Sequence, residues 1–309
     1  MNNISDYDLF SYDYSQYWQK RRYEHLSETH LLNKIFRKKN GNWFLDVGGS
    51  YGRLTPTYYN HYQNPIILDY SAKTLRNNYE VLVNKYPGIH LIAANAYKMP
   101  FKNNTFDGGL MVRVLHHIEN PKEYFKELKR VFKNDGKYVQ EFANKIHIKA
   151  RIRAVIKRDK EFFNTNPYKQ PTLTASEGTK NNIEGIFFNY HPQHIKNLLI
   201  NEKFLIEKKY GCSYFRSPFF KKIFNDDTLL FFEKIMQRLF SFSNFPPSIF
   251  YDTIIKKSEK VKIVGTTLED ILACPKCKGN LKIKDNLARC NKCNLDFKKE
   301  HNVWDFRIE

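Results

Sequence analysis

Phe44-Leu45-Asp46-Val47-Gly48-Gly49-Ser50-Tyr51-Gly52 is the stretch that decides the fold. A short apolar run delivers the chain to an acid. The glycines behind it let the backbone turn sharply and approach a ligand closely. A second apolar run, Pro65-Ile66-Ile67-Leu68, ends in Asp69, 23 residues after Asp46. An acid at that spacing accepts hydrogen bonds from the two hydroxyls of a nucleoside ribose.

Working outward, apolar runs continue at His90–Ala96, Phe106–Leu115 and Lys137–Asn144. Helical stretches separate them at Leu54–His61, Ala72–Tyr86 and Pro121–Phe132. Asn120-Pro121 opens the last of these, and Asn134-Asp135-Gly136 closes it. Strands alternating with helices predict an α/β chain with a parallel sheet and crossover helices. Residues 1–40 are aromatic and basic and predict a helical cap. Lys145–Phe163 predicts a basic helix, 164–190 a long loop, His191–Glu202 a helix, and Phe204–Tyr210 and Ser248–Ser258 strands. Residues 213–247 are aromatic and helical at their middle.

The cysteines add a second unit. Four of the five sit in Cys274-Pro-Lys-Cys277 and Cys290-Asn-Lys-Cys293, with twelve residues between the pairs. Each pair offers two thiolates on a tight turn, and two turns complete a tetrahedral zinc site. Four sulfur ligands leave no open position, so the metal is structural. A unit of about 40 residues depends on such a metal for stability. The expected organisation is a helical cap at 1–40, a catalytic domain at 41–265 with additions at 145–190 and 213–247, and a zinc module at 268–309.

Composition bounds the partners. The chain has 309 residues and a net charge of +19. That excess suits RNA or another polyanion, or reflects a solvated, lysine-rich surface. From Leu268 onward nine Lys/Arg oppose seven Asp/Glu, so the excess belongs to the preceding residues. No run reaches the roughly 18 apolar residues of a membrane-spanning helix. The N-terminus lacks the basic start and apolar run of a signal peptide, and a cytoplasmic protein is expected.

The ordered motifs resemble the class I S-adenosylmethionine-dependent methyltransferases, above all the quinone-biosynthesis group. Asp46, Gly48 and Gly52 match the first motif, with Gly49 beside them, and Asp69 matches the ribose acid, followed by Tyr70. Asn95-Ala96 before Met99-Pro100-Phe101 matches the third, Phe106-Asp107 leading to Val114-Leu115-His116-His117-Ile118 the fourth, and Leu128–Gly136 the fifth. The resemblance implies a Rossmann-like doubly wound sheet, S-adenosylmethionine as cofactor, and methyl transfer to a small or lipid-like acceptor at oxygen or carbon. The turn does not follow the Gly-x-Gly-x-x-Gly spacing of a nicotinamide enzyme. Two positions depart from the pattern. Ser50 replaces the middle glycine and suits a turn that does not need positive φ there. Asn95 replaces an acid that would accept from the adenine amino group, and its amide oxygen can still accept. These departures leave a non-catalytic cofactor-binding scaffold as an alternative.

The same resemblance places Arg113, His116 and His117 near the transferred methyl. Either histidine is a candidate base, or both orient the loop. Glu141 is a candidate for substrate binding, or a strand-end acid. Tyr17, Trp18 and Arg22 are candidates for a lid over the cofactor, or helix packing. Asn166-Pro167-Tyr168 is similar to the Asn-Pro-Pro-Tyr motif of amino-group methyltransferases but falls in the predicted loop. The tail from Leu268 resembles the small zinc-binding proteins that activate methyltransferases of tRNA, ribosomal RNA and a release factor. That likeness implies, as an alternative, methylation of tRNA or a translation factor.

Overall fold

The computed structural model describes Trp18 and residues 20–169, 187–257 and 265–308. In chain order its elements are α1 (Arg22–Phe36), β1 (Gly41–Val47), β2 (Tyr62–Asp69), α2 (Ala72–Lys85), β3 (His90–Ala93), β4 (Phe106–Met111), α3 (Pro121–Val131) and β5 (Phe132–Ala143). There follow α4 (Ile148–Ile156), the short β6 (Tyr168–Lys169) and β7 (Phe188–Asn189), α5 (Pro192–Asn201), β8 (Phe204–Cys212), α6 (Pro218–Ile223), α7 (Asp226–Leu239) and β9 (Ser248–Ile255). The C-terminal segment adds α8 (Leu268–Ile271), β10 (Lys282–Lys284), β11 (Leu287–Cys290), β12 (Leu295–Glu300) and β13 (Val303–Asp305).

Local chemistry sets the helix starts. The Ser71 hydroxyl caps α2 by accepting from Thr74 N–H, and Asn120 caps α3 by accepting from Glu123 N–H with Pro121 at the first turn. Thr267 and Asp270 form a reciprocal capping box on α8. The predicted helix over Leu54–His61 is instead two 3-10 turns, Thr55–Thr57 and Tyr59–His61. Pro56 sits in the first turn, and Tyr58 is pulled inward onto Asp46 at 2.9 Å, which leaves no room for a regular helix. Of the predicted basic helix, Ile148–Ile156 is α-helical and Glu161–Phe163 is one 3-10 turn.

The sheet order is β10-β11-β12-β13-β3-β2-β1-β4-β5-β9-β8. Its centre, from β3 to β5, is parallel, and β9 runs antiparallel between β5 and β8. The order reverses between β1 and β4, so two crossover connections leave in opposite directions there. That crevice, beyond the carboxyl ends of the strands, is where such sheets bind ligands.

The C-terminal segment joins the same sheet. β13 pairs in parallel with β3, matching Trp304 to Ile92 and Asp305 to Ala93. Phe306 N–H donates to Ala93 C=O at 2.8 Å, Lys102 N–H to Ile271 C=O at 2.8 Å, and Ala273 N–H to Pro100 C=O at 2.9 Å. Ile271, Leu272, Trp304 and Phe306 are buried in one hydrophobic core with Ile92, Phe101 and Phe106. Burial at roughly 25 cal/mol per Å² makes this shared core the principal attachment.

Candidate active site and cysteine cluster

The first glycine turn follows β1 at the crevice. Gly48 has φ +74°, and a Cβ there would lie 2.4 Å from a Val114 methyl, so glycine is required twice over. Ser50 takes φ +50° all the same, in the left-handed region that its side chain disfavours. Its N–H donates to Asp69 Oδ2 at 2.9 Å, and Ser71 N–H donates to Oδ1 at 2.9 Å. The turn that strains Ser50 thereby orients the carboxylate of Asp69. Asp46 is buried and held by the Tyr58 hydroxyl; burial pushes its carboxyl up to about 7. Asp46 therefore supports the turn, and its own oxygens are turned into the protein.

The third-motif segment continues this wall. Asn95 is buried, and its Oδ1 accepts from Tyr97 N–H at 2.8 Å, which fixes the amide and leaves one lone pair. Ala96 follows it, packed against the core. Behind it, Arg130 donates to Phe101 C=O at 2.6 Å and to Met99 C=O at 3.1 Å, and Glu127 accepts from Met99 N–H at 2.8 Å. Lys278, next to Cys277, reaches Glu127 at 2.7 Å. On the other side Arg307 Nη1 donates to Tyr70 C=O at 3.4 Å. The C-terminal segment thus touches the chain on both sides, at Tyr70 after Asp69 and at Glu127 behind the Asn95 segment.

An ion-pair network that sequence reasoning missed organises the opposite wall. Glu28 of α1 is fully buried; Arg53 reaches it at 2.7 Å and Arg113 Nε at 2.7 Å. Burial raises the Glu28 carboxyl, but the two guanidiniums outweigh it and hold it below its ordinary value. Trp18 lies over Arg53, with the guanidinium carbon 3.5 Å from the ring centroid, a cation–π contact. Arg22 is drawn away to Asp226 and Asp227 of α7 at 3.7 and 3.4 Å. Tyr17 lies outside the described residues. The signal for Glu28 was an acid within the apolar stripe of α1, alongside Leu31, Leu32 and Ile35. Nothing in the sequence named Arg53 as its partner.

At the end of β4, Arg113 has φ +63°, and its N–H donates to Glu141 Oε2 at 2.8 Å. Ser248 donates to the other Glu141 oxygen. Both oxygens are engaged, so Glu141 anchors a strained turn; burial pushes its carboxyl up. The 3-10 turn Leu115–His117 follows. His116 is buried and stacks on Phe187, ring centroids 4.1 Å apart at 29°, while His117 lies 4.1 Å from His116. Burial, then His117, Arg113 and Arg216, hold His116 well below its ordinary value, so the ring is neutral near pH 7. Tyr190 fixes the turn by donating to Ile118 C=O at 2.9 Å. The structure therefore brings Asp69, Asn95, Arg113, His116, His117 and Glu141 to one end of the sheet. Asn166, Pro167 and Tyr168 are exposed beside the β6–β7 ribbon.

The four cysteine sulfurs lie within 4.8 Å of one another, and Cys277 and Cys290 are 3.6 Å apart. Tetrahedral zinc with Zn–S of about 2.3 Å needs sulfurs about 3.8 Å apart, so the four could hold that metal. Cys274 N–H donates to Gly279 C=O and Lys278 N–H to Cys274 C=O, which shapes the first knuckle. Cys212, the fifth cysteine, is buried beside Ser213 and Gln237.

The family model described as "Methyltransferase domain" matches residues 45–140. An uncharacterised protein of Methanocaldococcus jannaschii is 28% identical over 224 residues, 71% of this chain and 82% of its own length. Demethylmenaquinone methyltransferase of Renibacterium salmoninarum is 31% identical over 32% of this chain, which spans only 40% of that enzyme. Among solved structures, a SAM-dependent methyltransferase of Thermotoga maritima shares the fold at TM-score 0.53 and 14% identity, covering 81% of this chain and 98% of that one. A chain from the complex between the Haloferax volcanii Trm112 methyltransferase activator and a candidate methyltransferase aligns at TM-score 0.54 and 10% identity, covering 82% of this chain and 100% of that one. With the switch-point sheet and the glycine turn already in place, residues 45–140 are a methyltransferase domain, set in a chain of Rossmann-like α/β fold.

Proposed function

We propose that the chain methylates a small or lipid-like acceptor at oxygen or carbon. The observation that supports this reading is the neutral, buried His116 beneath the Phe187 ring, with Arg113 and Arg216 close enough to disfavour its cation. An aromatic wall suits a flat or apolar acceptor. The same cations that depress the histidine favour an acceptor in its anionic form, such as a phenolate or enolate. His116 then holds the acceptor by a hydrogen bond or takes its proton at a ring nitrogen, and His117 packs beside it.

Bound S-adenosylmethionine supplies an activated methyl group, and the remaining work is orientation and exclusion of water. Asp69 would take the ribose hydroxyls, with Tyr70 beside it. Asn95 would accept from the adenine amino group at its free lone pair, next to Ala96. Gly48, Gly49 and Gly52 would let the backbone lie against the methionine portion, and Asp46 would hold that turn. Trp18 and Arg113 are expected at the methionine end through the Glu28 network. Zinc on Cys274, Cys277, Cys290 and Cys293 would serve structure only.

A second reading, methylation of tRNA or a translation factor, is favoured by the cysteine module sharing the catalytic sheet. One assay separates the two. Purified protein with isotopically labelled S-adenosylmethionine is offered quinols, phenols and total tRNA. Label is expected in a small acceptor, and His116→Ala should lower turnover by about 100-fold while leaving cofactor affinity within twofold. Label found only in tRNA would overturn the leading reading.

A further inference from the structure

Two helices of the cap present their apolar faces to solvent. In α4, Ile148, Ile152, Val155 and Ile156 stand at i, i+4, i+7 and i+8, one face of a helix, and all are exposed, Ile156 by 76%. Only Ala154 of that helix is buried. In α7 the usual arrangement is inverted. Its inward face carries Glu233, which accepts from Ser213 N–H at 2.7 Å, and Gln237, which donates to Ser27 C=O at 3.2 Å. Its outward face carries Phe231, Ile235 and Leu239, continued by Phe242 at 78% exposure. Phe219 and Ile223 of α6 are exposed as well. Ile148 N–H donates to Phe245 C=O at 3.0 Å, joining the start of α4 to the segment behind α7. Exposed apolar faces of this kind mark a contact surface.

Charge identifies what the surface meets. Residues 142–158 hold six Lys/Arg and no acid. Lys149, Arg153 and Lys157 run along α4 beside the apolar stripe, and Lys222, Lys234 and Arg238 are exposed on α6 and α7. An exposed apolar face bordered by cations is the signature of a helix lying in an anionic lipid interface. The stripe on α4, which carries the densest run of cations, is aliphatic, and Ile and Val offer nucleobases no flat face to stack on. A two-fold contact between copies would set these cations against one another. The surface also begins at the acceptor end of the site. His147, immediately before α4, feels the same Arg216 guanidinium as His116.

We infer that α4, α6 and α7 form a docking surface for an anionic lipid bilayer, with the helices lying in the headgroup region. No described helix is long and apolar enough to cross a membrane. The inference goes beyond the acceptor reading and stands without it: a protein that binds vesicles but methylates a soluble acceptor still satisfies it.

The test is co-flotation of the full chain with phosphatidylcholine vesicles, with and without phosphatidylglycerol. Binding is expected only with phosphatidylglycerol, weakening as salt rises. The double variant Ile152→Asp/Ile156→Asp should lower partitioning at least about tenfold with an unchanged melting temperature. Phe242→Trp, which keeps the surface apolar, should show a blue-shifted emission when anionic vesicles are added. Equal binding to both vesicle types, or no emission shift, would overturn the inference. So would a dimer abolished by the aspartate variants, or RNA binding lost in Lys149→Glu but kept in the aspartate double variant.

Discussion

The two flanks of the central sheet are finished in opposite ways. Beyond β3 the chain adds a cysteine-rich unit, whose last strand prolongs the sheet and whose Trp304 and Phe306 enter the common core. Beyond β5 it adds β9 and β8 and then covers them with α1, which buries Leu31, Leu32 and Ile35 around Glu28, and with α7, which buries Glu233 and turns Phe231, Ile235 and Leu239 outward. The first flank is closed and tied to the strand ends through Lys278–Glu127 and Arg307–Tyr70. The second keeps exposed apolar side chains. An edge that needs only protection can be covered by a small metal-held unit. An edge that meets a partner keeps apolar surface at the cost of stability.

The contrast breaks most visibly at the cysteines. Structural zinc in small peptides contributes on the order of 10 kcal/mol. Cys274→Ser, or a strong chelator, should lower the melting temperature by about 10 °C or more, since β13 then leaves the β3 edge. An unchanged melting curve would show that the shared core holds the unit without metal. On the other flank, Glu28→Gln leaves Arg53 and Arg113 without their buried counter-charge. Removing one partner of a buried pair costs about 3–5 kcal/mol, so a fall of roughly 6–10 °C is expected by calorimetry. A loss below about 2 °C would mean that water already compensates the two arginines.

The smallest effect sharpens the comparison through pH. Burial raises Glu127, but Arg130 and Lys278 outweigh it, so its carboxyl lies below the ordinary value of 4.5. A lowered folded-state value means that the contribution is complete above about pH 4.5 and lost as pH falls through the lowered value. Glu28 behaves the same way. Lys278→Met should cost about 1 kcal/mol at pH 7, and the difference from the parent chain should shrink in acid. A constant difference between pH 7 and 3 would contradict this link between the cysteine unit and α3.

Much of the parallel centre was legible because period, glycine and acid agree there. Asp46, Gly48 and Asp69 each follow a short apolar run, and Asn120-Pro121 announces its helix. The cysteine pairs were legible because ligand spacing is local. What sequence could not show was partnership across distance. Glu28 meets Arg53 and Arg113 only when α1 packs against the switch point, and Arg22 meets Asp226 and Asp227 only when α7 packs beside α1. Trp18 proved to cover Arg53, a contact no spacing encodes. Tyr58 took Leu54–His61 out of the helix that its composition suggested, by binding Asp46. That the tail extends the catalytic sheet was equally hidden, because strand pairing between β13 and β3 spans more than two hundred residues.

We propose that the turn after β1 and the acid after β2 together hold S-adenosylmethionine. Isothermal titration of the full chain with that cofactor tests it most directly, beside Asp69→Asn. One cofactor per chain is expected, with an affinity at least about tenfold weaker in the variant, because one charged hydrogen-bonding group is lost; the melting temperature should fall by only a few degrees, since the asparagine amide can accept from just one of the Ser50 and Ser71 N–H groups. Saturable binding that Asp69→Asn leaves unchanged, or no binding by either protein, would contradict it.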